Sequence, residues 1–248
     1  MKPGIFTHHE PCLVCGSSDA NAQYSDGSSH CFSCGYHKSS NVSGYVLAAQ
    51  HKIKDTGEVT LSVPDDIGYE YSQECLKWVD QYGLTASDLI KNKVMWSARR
   101  NQLIYVYQYM DKTGIGCIQA RNFNPDATKY YNQGDVNQVL PIYHYTKAGE
   151  ANHLVIVEDA LSAIKVSRDI WVDAMPLLGS HLALHKLAKL KPKGYARVTV
   201  WLDHDKYKEA ISIADKLRYT GVESKVVTSD LDPKCYSMDV IAIKLGLL

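Results

Sequence analysis

The sequence predicts three successive units: a cysteine-clipped ribbon, an α+β subdomain, and an α/β unit on a doubly wound, mainly parallel sheet. Three patterns predict them. Two Cys-x-x-Cys pairs, Cys12/Cys15 and Cys31/Cys34, fall within the first 34 residues. Alternating or continuous apolar runs of strand length mark residues 94–121. From about Asn152 onward, apolar runs alternate with stretches of helical spacing, as strands joined by crossover helices require. The boundaries read as 1–40 for the ribbon, 41–64 for a linker, 65–150 for the α+β subdomain and 151–248 for the α/β unit.

The cysteines set the chemistry of the ribbon. Fifteen residues separate the two pairs, a spacing that lets four thiolates surround one zinc ion tetrahedrally on two turns. A segment of about forty residues buries too little apolar surface to fold alone, so the metal would supply its stability. Gly16 and Gly35 follow the second cysteine of each pair and permit tight turns there. Between the pairs, Gln23–Ser25 and His30–Phe32 read as antiparallel strands around an Asp26-Gly27 turn. Tyr24, Ser28, Ser29, His30 and Phe32 offer rings and hydroxyls suited to single-stranded bases. Cys75, Cys117 and Cys235 are scattered and the start of the chain is no export signal, which favours metal ligation over disulfides and a reducing, cytoplasmic setting.

A hydrophobic content of 45% with 22% charged residues belongs to an ordinary globular chain of 248 residues. The 27 basic and 27 acidic residues cancel, so a basic surface for a polyanion has to be local. No apolar run reaches membrane-spanning length. Ser39–Gly44, small and polar, opens the linker that runs to Pro64.

In the middle region, Ser72 caps a helix to Tyr82 with Glu74 in its first turn and Leu76 and Val79 on one face. Gly83 ends it, and Thr85 caps a second helix over Ala86–Lys91. Val94–Ser97, Leu103–Tyr109 and Ile115–Arg121 read as strands, the last two joined at Asp111–Gly114. Arg99, Arg100, Arg121 and Lys129 form a basic group suited to phosphate, the arginines as planar forks and the lysine as a point charge. Tyr105, Tyr107, Tyr109, Tyr130, Tyr131, Tyr143 and Tyr145 are expected mainly in the core or in cross-strand pairs.

In the α/β unit, Leu154–Val157 ends on Glu158, and Val198–Leu202 ends on Asp203-His204-Asp205. Acids at the carboxyl ends of parallel strands sit in the crevice where open α/β sheets bind ligands. Ala160–Ser167, Leu182–Leu190, Tyr207–Tyr219 and Met238–Leu247 read as helices, and Ala174–Leu178 and Val222–Val227 as further strands. Three carboxylates crowded at one edge repel unless a hard divalent cation such as magnesium sits among them, where it can polarise a phosphoryl oxygen. Lys186, Lys189, Lys191 and Lys193 read as a solvated helix face.

Glu158 at one strand end with Asp203-x-Asp205 at another resembles the Toprim domain of primases, topoisomerases and related nucleases. Asp230-Leu231-Asp232-Pro233-Lys234 resembles the third acidic station of primase Toprim domains, with Asp232 carried over and Cys235 standing where an acid is often found. Asp159 stands where the family glutamate is commonly followed by glycine. Cys12–Asp19, Tyr24–Gly27 and the Cys31–Cys34 knuckle are similar to the template-reading ribbon of T-odd phage helicase–primases; Ser28 replaces the histidine after their Asp-Gly turn, and His30 follows two residues later. Arg121–Pro125 followed by Lys129-Tyr130-Tyr131-Asn132 looks like the primase segment that ends in Lys-Tyr-x-Asn.

The resemblance covers essentially the whole chain, and it implies a phage-type DNA primase. Such an enzyme is a nucleotidyltransferase that copies single-stranded DNA into short RNA primers from ribonucleoside triphosphates during phage DNA replication. Cys12, Cys15, Cys31 and Cys34 would hold structural zinc; Glu158, Asp203, Asp205 and Asp232 would hold magnesium, or manganese in its place. Glu158 would be either a ligand or the base for the attacking 3′-hydroxyl, and Arg121 and Lys129, with Arg99 and Arg100, would meet substrate or template phosphates. The partners implied are a separate replicative helicase and a DNA polymerase in the cytoplasm of a bacterial host. No Gly-x-x-x-x-Gly-Lys-Ser/Thr occurs, so no ATPase motor is expected in this sequence. The first alternative is a non-catalytic recombination mediator joining a four-cysteine zinc site to a Toprim domain, expected to place a helix-hairpin-helix where only eleven residues precede Cys12. The second is a Toprim nuclease or topoisomerase-like enzyme, the latter needing a larger tyrosine-bearing domain.

Overall fold

Two sheets of opposite character share one helix, Ala160–Ile170, and that sharing positions everything below. The computed structural model describes residues 4–12, 17–32, 37–38, 61, 63–145, 151–179 and 181–248. The chain divides into two units, 1–58 and 59–248.

In the first unit, β1 (Phe6–Glu10), β2 (Asn21–Tyr24), β3 (Ser29–Cys31) and β4 (His37–Lys38) form an antiparallel sheet in chain order. The predicted hairpin joins β2 to β3. Gly27 supplies the left-handed turn at φ 78°, the Tyr24 N–H donates to the Ser28 carbonyl at 3.0 Å, and Asp26 accepts from the Ser28 N–H at 3.0 Å. β1 was not expected from the sequence, because all five of its residues are exposed and no apolar alternation marks it. Backbone pairing with β2 alone makes it a strand. The predicted 41–64 linker lies almost entirely outside the described residues.

The second unit opens with β5 (Ile67–Gly68), α1 (Gln73–Asp80), α2 (Ala86–Lys91), β6 (Met95–Ser97), β7 (Gln102–Gln108), β8 (Ile115–Asn122) and β9 (Tyr130–Gly134). Its five strands form an antiparallel sheet in chain order. The helices start where the sequence places them. Ser72 accepts the Cys75 N–H at 3.1 Å, and Thr85 and Asp88 close a reciprocal capping box.

Next come β10 (His153–Val157), α3 (Ala160–Ile170), β11 (Asp173–Pro176), α4 (Leu184–Leu190), β12 (Arg197–Val200), α5 (Tyr207–Tyr219), β13 (Glu223–Val226) and α6 (Met238–Leu245). The four strands are parallel, in the order β11-β10-β12-β13. Side chains alternate across the central strand. Leu154 and Ile156 pack with Leu187 and Leu190 of α4 and with Ile213 and Leu217 of α5, while Val155 and Val157 pack with Val166 of α3 and with Ile241 and Leu245 of α6. Both faces are covered, which is why β10 is wholly apolar past His153.

α3 has a second apolar side. Leu161 and Ile164 join Cys75, Leu89, Leu103 and Tyr105 of the antiparallel half in one core. Arg168 fastens the same junction, donating to the Gly83 carbonyl at 2.8 Å and to Asp88 at 2.9 Å. The basic run on α4 departs from the expected solvated face: Lys186 is 2% exposed, and burial pushes its ammonium down to about 8 against the pull of Asp135. Lys189 does reach the surface, where it pairs with Asp111. No helix among the described residues is long and apolar enough to cross a membrane.

Leu161 is fully buried between the two halves. Leu161→Ala is expected to lower unfolding free energy by about 2–5 kcal/mol in urea titration. A loss under about 1 kcal/mol would show that α3 does not wedge the sheets together.

Candidate active site

Because β10, β12 and β13 run parallel, the residues that follow them gather at one edge of the sheet. Glu158 and Asp159 follow β10, Asp203 follows the Trp201–Leu202 extension of β12, and Asp232 follows β13. The Leu177 N–H donates to the Val157 carbonyl at 2.9 Å and the Trp201 N–H to the Ile156 carbonyl at 2.8 Å, extending the order of the sheet up to the acids.

Glu158, Asp159, Asp203, Asp232 and Lys234 line a cleft of about 360 Å³. Across it stand Trp78 and Tyr82, from α1 and the turn after it, with Gln119 of β8, Lys129, and Tyr130 and Asn132 of β9. Leu178 and Gly179, after β11, complete the lining. Leu178 sits at φ 60°, a left-handed conformation that costs a branched side chain free energy. It is held from both sides: its N–H donates to the Glu158 carbonyl at 3.3 Å, and its carbonyl accepts from the Asn132 amide at 3.3 Å. That residue therefore ties the antiparallel wall to the acidic one.

The acids crowd one another. Burial, then the neighbouring Asp203, pushes the Glu158 carboxyl up to about 7, although Lys206 pulls the other way. Asp203 is likewise raised, by burial first and then by Asp232. Asp159 has a separate task. Its backbone is extended at φ −118° and ψ 160°, so the position after Glu158 needs no glycine. One carboxylate oxygen accepts the Leu161 and Ser162 N–H groups at 3.0 and 3.1 Å, capping α3. The other accepts the Ser162 hydroxyl at 2.6 Å and the Lys234 ammonium at 2.9 Å.

Lys234 also donates to Asp232 and lies 5.6 Å from the centroid of the Tyr82 ring. It is 7% exposed. Burial opposes its charge, but Asp159 and Asp232 outweigh that and raise its proton affinity above the usual lysine range.

The structure brings together Glu158, Asp203, Asp232 and Lys129 of the expected site. Asp205 points instead to solvent, 72% exposed, and pairs with Lys206 at 3.2 Å outside the cleft lining. Arg121 stands behind the cleft, its guanidinium 4.9 Å from the Trp78 ring, 5.0 Å from Phe123 and 5.4 Å from Tyr130. Arg99 pairs with Asp65 and lies 3.5 Å from Asp66, and neither it nor Arg100 lines the cleft. Tyr105 and Tyr107 are buried as expected, and Tyr130 is the one of the seven tyrosines that reaches the cleft.

In the first unit Cys12 and Cys31 are buried, while Cys15 and Cys34 lie outside the described residues. Phe32 is exposed there, with the His30 ring at 4.9 Å and the His9 ring stacked at 6.3 Å. Ser29 is buried and so cannot offer its hydroxyl to a base.

Lys234, Trp78 and Tyr82 were missed as site residues. The aromatic pair had a legible signal, an i,i+4 spacing that brings the rings to 5.6 Å. The lysine's signal was the extra acid at Asp159, which gains a partner only in the folded chain.

As a donor set, Glu158, Asp203 and Asp232 supply hard carboxylate oxygens whose mutual repulsion a divalent cation would relieve. The residue types suit magnesium, although among the described residues no three such side chains stand together as a metal-holding group.

No family model matches the sequence, and no curated protein sequence matches it. Solved structures do. The primase fragment of the bacteriophage T7 primase–helicase protein is similar over 98% of this chain and 99% of its own, with a TM-score of 0.52 and 16% identity. The DnaG catalytic core is similar over 71% of this chain and 73% of its own, with a TM-score of 0.55 and 12% identity. The chain has the fold of phage and bacterial DNA primases.

The raised Glu158 carboxyl has a consequence for pH. The unfolded chain ionises this group near its ordinary value of 4.5 while the folded chain holds the proton up to about 7. Stability contributed by the group is therefore lost as pH rises between those limits. In metal-free buffer, the melting temperature of wild type is expected to fall relative to Glu158→Gln from pH 4.5 to 7. Parallel curves would mean that Glu158 is not held among its acidic neighbours.

Proposed function

We propose that this chain is a DNA primase, a nucleotidyltransferase that copies single-stranded DNA into short RNA primers from ribonucleoside triphosphates. One observation carries the reading: a primase fold whose cleft sets Glu158, Asp203 and Asp232 against Lys129 and Tyr130. Phosphoryl transfer asks little covalent chemistry of a protein, so positioning and charge stabilisation carry the rate.

Glu158, Asp203 and Asp232 would hold magnesium, which when bound neutralises charge on a triphosphate and polarises its phosphoryl oxygen. If Glu158 is left off the metal, its buried carboxyl, raised to about 7 in the metal-free chain, would instead be the base at the attacking 3′-hydroxyl. Lys129, exposed at the opposite wall, meets triphosphate or template phosphate as a mobile point charge. Tyr130 and Trp78 offer ring surface to a base. Arg121, locked among three rings, keeps that aromatic wall in place.

Cys12, Cys15, Cys31 and Cys34 would hold zinc and so order the unit that reads the template. Metal analysis should find one zinc per chain, and Cys31→Ser should release it and abolish templated initiation. A metal-free, fully folded first unit would remove the zinc from this account.

The deciding measurement is templated dinucleotide formation from labelled ribonucleotides on single-stranded DNA with magnesium. Glu158→Gln should fold normally yet lower the rate by about 10²–10⁴-fold. Lys129→Ala should mainly raise the ribonucleotide concentration needed. Equal rates for wild type and Glu158→Gln would remove the glutamate from the mechanism. If wild type binds single-stranded DNA yet makes no primer on any template, the chain is a non-catalytic binding protein.

A further inference from the structure

The end of α3 away from the cleft carries a pair of rings that the chemistry above does not use. Asp159 caps the start of α3 and Trp171 its end, so the two lie about 18 Å apart along the helix. Trp171 is 67% exposed. Tyr145, also open to solvent, stacks on it with ring centres 5.7 Å apart and planes 10° from parallel. The Lys91 ammonium lies 4.8 Å from the centre of the Tyr145 ring.

Both rings are fixed from behind. Trp171 takes the left-handed backbone at φ 60°, its N–H donating to the Ser167 carbonyl at 3.1 Å. A glycine at this helix end would relieve that strain, so the fold alone does not call for tryptophan. Tyr143 exchanges two backbone hydrogen bonds with Ala174 of β11, at 2.8 and 3.0 Å, and the His144 ring stands 2.8 Å from the buried Asp173 carboxylate. Tyr145 thus follows two residues that are each pinned to β11.

The acids of these elements already have partners. Asp88 of α2 pairs with Arg168, Asp169 of α3 with Arg168 and Lys165, and Asp173 of β11 faces His144. Lys91 and Lys93 are exposed and have no ion-pair partner among the described residues. Open ring faces beside unpaired ammonium groups suit a single strand, whose bases stack while its phosphates take the charge. The core of a protein–protein interface is depleted of lysine, whereas here Lys91 sits over the stack itself.

We propose that Tyr145, Trp171 and Lys91 form a stacking step that holds single-stranded DNA at a distance from the acidic cleft. The choice of DNA rests on the proposed function; the stacking and the charge do not. The bland alternative is that the two rings only cover the end of α3.

Binding of fluorescein-labelled oligothymidylate to the full chain, followed by anisotropy without magnesium, tests the step. Trp171→Ala and Tyr145→Ala should each weaken binding about 5- to 150-fold. Trp171→Phe keeps a ring and should recover most of the loss. Lys91→Gln should lower the slope of log affinity against log salt by about 0.7, the share of one phosphate. Tryptophan emission should fall when the strand binds wild type and fall less in Trp171→Phe, because Trp96 and Trp201 are buried.

Unchanged affinity and salt slope in these variants would overturn the proposal and leave the step to a protein partner. A loss that Trp171→Phe does not recover, with the salt slope unmoved in Lys91→Gln, would mark the rings as structural and overturn it as well. Wild type without affinity for oligothymidylate would overturn it and also remove the template from the proposed function. Dependence on Trp171 seen with oligouridylate but not with oligothymidylate would overturn the choice of DNA. If the variants lose affinity as expected while wild type makes no primer, the step stands and only the proposed function fails.

Discussion

Repulsion among carboxylates at the edge of the parallel sheet is the constraint around which this structure is arranged. Two like charges about 4 Å apart cost on the order of 4 kcal/mol at the effective dielectric of a protein surface, and more where water is excluded. The chain bears that cost at Glu158, Asp203 and Asp232 because parallel strands place their carboxyl-terminal residues on one side. Burial first, and that repulsion second, raises the proton affinities of Glu158 and Asp203. Lys234 supplies positive charge beside the acids, and the strained Leu178 ties the backbone of Glu158 to Asn132 on the opposite wall.

Most of the architecture was legible because it obeys local rules. The apolar run Leu154–Val157 is a strand buried on both faces, and its terminal acid follows from the run itself. Ser72 and Thr85 cap helices whose starts could be read to the residue. What escaped were elements without local apolar signal. β1 is wholly exposed and β9 carries the polar sequence Tyr130–Gly134, so each is a strand only because a neighbour pairs with it. The same limit applies to charge. Lys186, read as one of four solvated lysines, is buried because α4 turns that side toward Asp135 and Cys117, a long-range fact no spacing records.

The basic residues show how the fold sorts side chains that sequence treats alike. Arg99, Arg100, Arg121 and Lys129 stood as one phosphate-binding group. Folding gives Arg99 to Asp65 and Asp66, encloses Arg121 among Trp78, Phe123 and Tyr130, and leaves Lys129 at the cleft. A planar guanidinium stacks on rings and braces an aromatic wall, whereas an ammonium on a flexible stem can follow a moving phosphate. Residue type and environment agree in each case. Arg121 therefore stiffens the wall, while Lys129 is left free at the cleft.

These placements resolve an apparent conflict in the proposed chemistry. A ribonucleoside triphosphate is itself strongly negative, yet the cleft it must enter is lined by acids. The chain carries no net charge to attract it, so attraction has to be local. The N-terminus of α3 abuts Glu158 and Asp159, and its dipole lowers the potential these acids project. Lys234 cancels a further charge on the same wall. The opposite wall, with Lys129 and the ring faces of Tyr130 and Trp78, carries no acid among its lining residues. The cleft is therefore polarised across its width. Under the proposed function, an anionic substrate would meet the basic, aromatic wall first and would come against the acidic wall only where a cation bridged the two, so that binding and the onset of chemistry would depend on opposite sides of one cavity.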